Sequence, residues 1–138
     1  MVAARNIKNR LEQLTERNRE ERLSRLREEV QAFWDSELEG HFWAEEKILE
    51  MFASHVGPQD EGIGRILQEH RQMEGWIRDG GEKELGQLSE LLVSHIRYEE
   101  DSLFGRIEGV FGQEEFDKTI QILAEATPKV IHIPGPAL

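Results

Sequence analysis

Apolar residues recur at three- and four-residue spacing along nearly the whole chain, and the two-residue alternation of a half-buried strand is almost absent. A chain patterned this way folds by packing helix faces together, so its turns decide the topology. Clear breakers stand at Gly57-Pro58, Gly80-Gly81, Gly112 and Pro128. They predict one helix running to about Ser54, a second over roughly 61–78, a third over roughly 82–110 and a shorter one over about 113–126. Asp60 is the expected N-cap of the second. Between Ala3 and Glu39 there is neither proline nor glycine. Asn18 is the best candidate there for the turn that an antiparallel bundle needs, and a single long helix is the alternative. The expected fold is all-α: an antiparallel up-and-down four-helix bundle over residues 1–127, with a short extra C-terminal helix. Residues 128–138 are expected to form an extended tail, whose Val130-Ile131-His132-Ile133 stretch lies along a groove or pairs with another chain.

At 138 residues the chain is long enough to bury a real core as one domain. Its 28 acidic and 17 basic residues leave a net charge of −11, which argues against a general nucleic-acid or anionic-membrane binder. There is no cysteine, so disulfides, thiolate metal sites and thiol catalysis are excluded. No apolar run approaches membrane-spanning length, and the N-terminus has no signal-peptide core. A soluble, cytoplasmic protein is expected.

Two segments carry the same frame, His-x-x-x-Glu-Glu-x-x-Leu: His41 to Leu49 and His95 to Leu103. A third His-x-x-x-Glu runs from His70 to Glu74. Residues four apart share one helix face, so each pair can present an imidazole and a carboxylate to one point. In a Glu-rich chain such spacing alone is weak, and chance pairs on a wet surface are the simplest account of it. Phase separates the two readings. At about 100° per residue, Leu23, Val30, Trp34, Leu38, Ile48 and Phe52 cluster around His41, with Glu45 inside that stripe and Glu46 outside it. Leu88, Leu91, Leu92 and Ser102 flank His95, with Glu99 in phase and Glu100 out. Ile63, Ile66, Leu67, Met73 and Ile77 flank His70, with Glu74 in phase. Buried unpaired carboxylates cost several kcal/mol, so inward Glu on three helices requires a partner, and a di- or trivalent cation supplies one. Helical rise places all three pairs at one height in the bundle. Thiol-free nitrogen and oxygen donors suit iron, manganese or zinc.

These residues resemble the hemerythrin-like, or HHE cation-binding, family: four-helix bundles that hold a non-haem di-iron centre. The resemblance runs from about Phe33 to Phe104. It includes Phe33-Trp34-Asp35-Ser36-Glu37-Leu38 before His41-Phe42 and Glu45-Glu46, then Glu69-His70, then Leu91-Leu92-Val93-Ser94-His95-Ile96 before Glu99-Glu100 and Leu103-Phe104. The resemblance implies that His41, Glu45, His70, His95 and Glu99 are metal ligands, with Glu45 and Glu99 bridging. Glu74 takes the place of a second middle-helix His in some relatives, and it ligates or hydrogen-bonds behind a ligand. Relatives usually take one further His from the first helix, yet no histidine lies in residues 1–40. The C-terminal helix, the tail with His132 or a neighbouring subunit could supply that group. His55 is expected near a turn, away from the metal layer.

The expected function is a cytoplasmic non-haem iron protein that binds or senses O2, NO or reactive oxygen species. Its expected partner is a small diatomic ligand or peroxide, with a homodimer as a possible assembly. Tyr98 and Trp43 border the pairs, with core packing expected of both. The alternatives are a metal-deficient helical interaction module, or an oxidase or peroxidase using the same centre. No nucleophile with an adjacent base and no phosphate-binding glycine loop points to hydrolysis or phosphoryl transfer.

Overall fold

A computed structural model describes residues 2–126. The described chain is entirely helical: α1 (Val2–Glu12), α2 (Arg19–Phe33), α3 (Glu39–Val56), α4 (Glu61–Asp79), α5 (Glu82–Tyr98), α6 (Phe104–Val110) and α7 (Gln113–Ala126). A π turn over Trp34–Leu38 joins α2 to α3, and another over Glu99–Leu103 joins α5 to α6. The described residues thus form five rods, two of them interrupted once by a π turn.

The turns follow from local chemistry. After α1 the chain reverses over residues 13–18, where Thr15 N donates to Asn18 Oδ1 (2.8 Å) and Asn18 N donates to Thr15 Oγ1 (3.3 Å). That reciprocal pair makes Asn18 the turn, and α2 starts at the next residue. At the end of α3, Gly57 has φ 95°, a conformation in which a side chain would be strained. Asp60 then caps α4, its Oδ2 accepting from Gly62 N (3.0 Å) and Ile63 N (3.2 Å). The expected tail, residues 128–138 with His132, lies outside the described residues.

The core is in two parts. One cluster joins Ala4, Ile7, Leu26, Val30, Phe33, Trp34, Leu38, Phe42, Met73, Ile77, Leu85, Leu88 and Leu92. The other joins Leu49, Phe52, Ile63, Ile66, Leu103, Ile107 and Phe111. Each of the three central rods crosses from one cluster to the other and changes chemistry at the crossing. On α3 Glu45 lies between Phe42 and Leu49, on α4 His70 lies between Ile66 and Met73, and on α5 and its π turn His95 and Glu99 lie between Leu92 and Leu103. One buried polar layer therefore separates two apolar halves.

The π turns decide which residues enter that layer. A π turn carries an extra residue, which shifts the inward face by roughly one position. After Trp34–Leu38 the buried series runs Leu38, Phe42, Glu45, Leu49, Phe52. Phe42 thereby takes the inward place that an unbroken helix would give to His41, and His41 is exposed. The second π turn holds Glu99, Leu103 and Ile107 on one face, so Leu103 is buried and Ser102 is exposed, reversing the expectation for Ser102. Trp43 is also exposed rather than packed in the core, being turned out beside the inward Phe42. Tyr98 is half-buried, with the Arg65 guanidinium 4.0 Å from its ring centroid.

Candidate metal centre

Glu45 is the hub of the polar layer. Its Oε1 lies 2.9 Å from His70 Nε2 and 3.4 Å from His95 Nε2, and its Oε2 lies 3.0 Å from His41 Nε2. Glu99 Oε1 lies 3.5 Å from His95 Nε2. One ligand atom from each of Glu45, His70 and His95, all buried, falls within 4.8 Å of the others. Helices α3, α4 and α5 thus aim their donors at one point, and the π turn adds Glu99.

The other ring nitrogens are held from behind. His70 Nδ1 is 2.9 Å from Glu46 Oε2, and His95 Nδ1 is 2.9 Å from Glu69 Oε1. A carboxylate behind an imidazole draws the N–H to Nδ1 and leaves the Nε2 lone pair facing forward, the arrangement that orients metal-ligating histidines. Phe42 fixes the plane of His70 by stacking on it at 3.7 Å and 5°. Sequence phase had assigned Glu46 to water. Its side chain is 45% exposed, but it leaves the flank of α3 and reaches across to α4. Neither Glu46 nor Glu69 was marked out by phase as serving an imidazole, because a flank position is polar by period whether or not it has a task. The adjacency of each to a marked residue, Glu45 or His70, was the available signal.

Other marked residues stand apart. Glu74 is half-buried and accepts from Arg78 Nε at 2.7 Å, one turn along the same helix; it does not join the cluster. His55 pairs with Glu115 of α7 at 2.8 Å, away from the layer.

The charges show what the layer lacks as protein alone. Burial raises the Glu99 carboxyl, the hydrogen bond to Glu45 and the negative charges of Glu45, Glu69 and Glu100 add to that, and it is pushed up to about 10. Burial acts to raise Glu45 too, but the close approach of His41, His70, His95 and Glu99 outweighs it and holds Glu45 below the usual carboxylate range. Glu45 in turn holds His41 above its ordinary value. Two carboxyls side by side therefore share one proton. Glu45 Oε2 is buried and makes no aligned hydrogen bond, its approach to His41 Nε2 being close but misdirected. The Glu45 contacts with His70 and His95 are attractive only while the imidazole Nε2 atoms carry protons. With the N–H held on Nδ1, Glu45 faces Nε2 lone pairs and a cation between them takes the place of the protons, so the donor set fits a metal ion.

A model of the hemerythrin HHE cation-binding domain matches residues 3–107. The chain belongs to that family. No curated protein and no solved structure matches it. The family is one of cation-binding domains, and the cluster of Glu45, His70 and His95 is a group of donors that could hold a metal ion. The difference from the expected four-sided donor set lies on the side of α1 and α7. The Ser89 hydroxyl donates to Ala4 O at 2.7 Å, which at a rise of about 1.5 Å per residue seats Ala4 about 9 Å short of the His95 level and the described start of α1, Val2, about 6 Å short. From the other end α7 packs along α3 until Ala126 O lies 3.2 Å from where a Cβ on Gly40 would stand. Among the described residues neither helix puts a ligand into the cluster.

Proposed function

We propose that this chain is a cytoplasmic non-haem iron protein whose layer holds a di-iron centre that binds or senses O2, NO or reactive oxygen species. In this reading the three long rods form three sides of an antiparallel four-helix bundle, and α1 and α7 share the fourth. The carrying observation is Glu45: a buried carboxylate hub facing three imidazole Nε2 atoms, with one oxygen lacking an aligned donor. His70 and His95 would hold one ion and His41 the other, with Glu45 and Glu99 between them. Bound iron would supply one-electron redox chemistry and a coordination position open to a small ligand. The protein would supply direction and dryness. Glu46 and Glu69 fix the two rings, and a cavity of about 30 Å³ opens on Glu45 and Glu99 between Ile48, Leu49, Leu103, Phe104 and Ile107. Such a space takes about one small molecule and excludes a larger substrate.

Manganese or zinc would suit the same donors. Stopped-flow spectroscopy on iron-loaded, anaerobically reduced protein tests the reading. Absorption changes on adding O2, NO or peroxide support it, with reversal on degassing marking a carrier and sustained peroxide turnover marking a peroxidase. Protein that takes up iron and responds to none of the three would contradict the ligand assignment. The exposure of His41 favours a second reading, a helical module with reduced metal competence; equal thermal stability with and without iron would support it.

A further inference from the structure

The π turn before α3 leaves two buried polar atoms without a hydrogen-bond partner, Trp34 Nε1 and Glu37 Oε2. Buried orphans of this kind are few in a folded protein and call for a reason. Trp34 packs edge-on against Phe42, with ring centroids 5.5 Å apart, and Phe42 stacks on His70. The turn therefore borders the metal layer directly. Glu37 stands four residues before His41, within about 40° of it around the helix and about 6 Å below it along the axis. His41, Glu45 and Glu37 thus form one line of donors along one rod. Glu45 Oε2, at the other end of that line, is likewise buried without an aligned donor.

The level of Glu37 matters as much as its direction. Arg10 of α1 pairs with Glu29 of α2. Counting equally from that pair along the two rods puts Val2 level with Glu37. The described part of α1 therefore covers the π turn and stops below His41, on the side where a donor from the first helix would be expected. Glu37 Oε2 is buried and lies one helical turn before an imidazole whose contact among the described residues is Glu45, so it is positioned for a cation rather than for solvent.

We propose that Glu37 is the metal donor of the fourth side. This rests on the metal reading above and adds a residue to it. Glu37 and His41 hold the outer ion and Glu45 links it to the inner ion between His70 and His95. The ligand set then contains Glu37, Glu45 and Glu99 with His41, His70 and His95. A third carboxylate replaces an imidazole, adding negative charge and a harder donor, and so favours the ferric over the ferrous state.

Anaerobic titration of the full chain with Fe(II), and with Co(II) followed by its visible absorption, tests the assignment. The wild type is expected to take two ions per chain. Glu37→Gln keeps the shape and removes the charge, and is expected to take one, with outer-ion affinity at least about tenfold weaker. Glu37→His is expected to restore the second ion with an altered Co(II) spectrum. Metal-free Glu37→Gln should melt within a few degrees of the wild type, since the change keeps the shape of the side chain. A wild type that binds two ions alongside a Glu37→Gln that binds two with equal affinity overturns the role of Glu37 alone. So does a wild type that binds one. A wild type that binds none overturns the metal reading and this inference together.

Discussion

The two sides of the buried polar layer differ in how far the protein has fixed their side chains. On the α4–α5 side, His70 and His95 have side chains only 4% and 2% exposed, and a carboxylate holds each Nδ1. On the α3 side, the His41 side chain is 58% exposed and, among the described residues, meets only Glu45. A ring anchored at its rear nitrogen points forward before any cation arrives, whereas an exposed ring must be immobilised by the cation itself. In the proposed metal site the first side would supply affinity. The second would supply access and would depend on the metal to order it.

Removing the proposed ligands themselves should give the largest contrast. His70→Ala or His95→Ala is expected to abolish binding of the inner ion, with affinity falling more than about 100-fold, while His41→Ala leaves one ion per chain. Anaerobic calorimetry with Fe(II) reads both, and equal losses from all three variants would break the comparison. The carboxylates behind the rings come next. Loss of such a partner typically costs about 10–100-fold in metal affinity. Glu69→Gln is expected near the top of that range and Glu46→Gln near the bottom, because the Glu69 side chain is 13% exposed and that of Glu46 is 45%.

Metal-free stability should show a smaller effect with a defined sign. The folded value of Glu99 is raised, so between about 4.5 and about 10 the folded state keeps a proton that the unfolded state releases. Its contribution to stability therefore falls as pH rises through that window. Glu45 is lowered and acts in the opposite sense, its contribution being lost as pH falls below about 4.5. Metal-free Glu99→Gln is accordingly expected to melt a few degrees above the wild type at pH 8, and to lose that advantage towards pH 5. Melting curves across pH check this; a Gln variant less stable at pH 8 would show that the carboxyl is not penalised by burial. The smallest effect is expected at Glu74, whose partner is Arg78 on the surface. Glu74→Gln should change stability by less than about 0.5 kcal/mol and leave metal titration unchanged.

Much of this was legible in the sequence because helical period and breakers are local signals. Asp60 was expected as a cap and caps, and the helix over 82–110 was expected whole and is continuous through its π turn. Period also brought Glu45, His70, His95 and Glu99 to the interior, since each recurs in step with apolar neighbours. It failed where the step changes. The π turn at Trp34–Leu38 moves Phe42 inward and His41 to the edge, and no residue pattern announces that extra residue. Glu46 escaped because its task lies on another helix, at His70, and period within one helix carries no information about reach between helices. Glu74 had the right phase and spacing, but Arg78 one turn away competes for it at a half-exposed position.

Anomalous diffraction at the iron edge, on crystals of protein purified after growth in iron, tests the central claim most directly. The account predicts a strong peak within bonding distance of Glu45, His70 Nε2 and His95 Nε2, and a second, weaker one beside His41. Clean density for the same side chains with no anomalous peak among them, or peaks only at surface carboxylates, would contradict it.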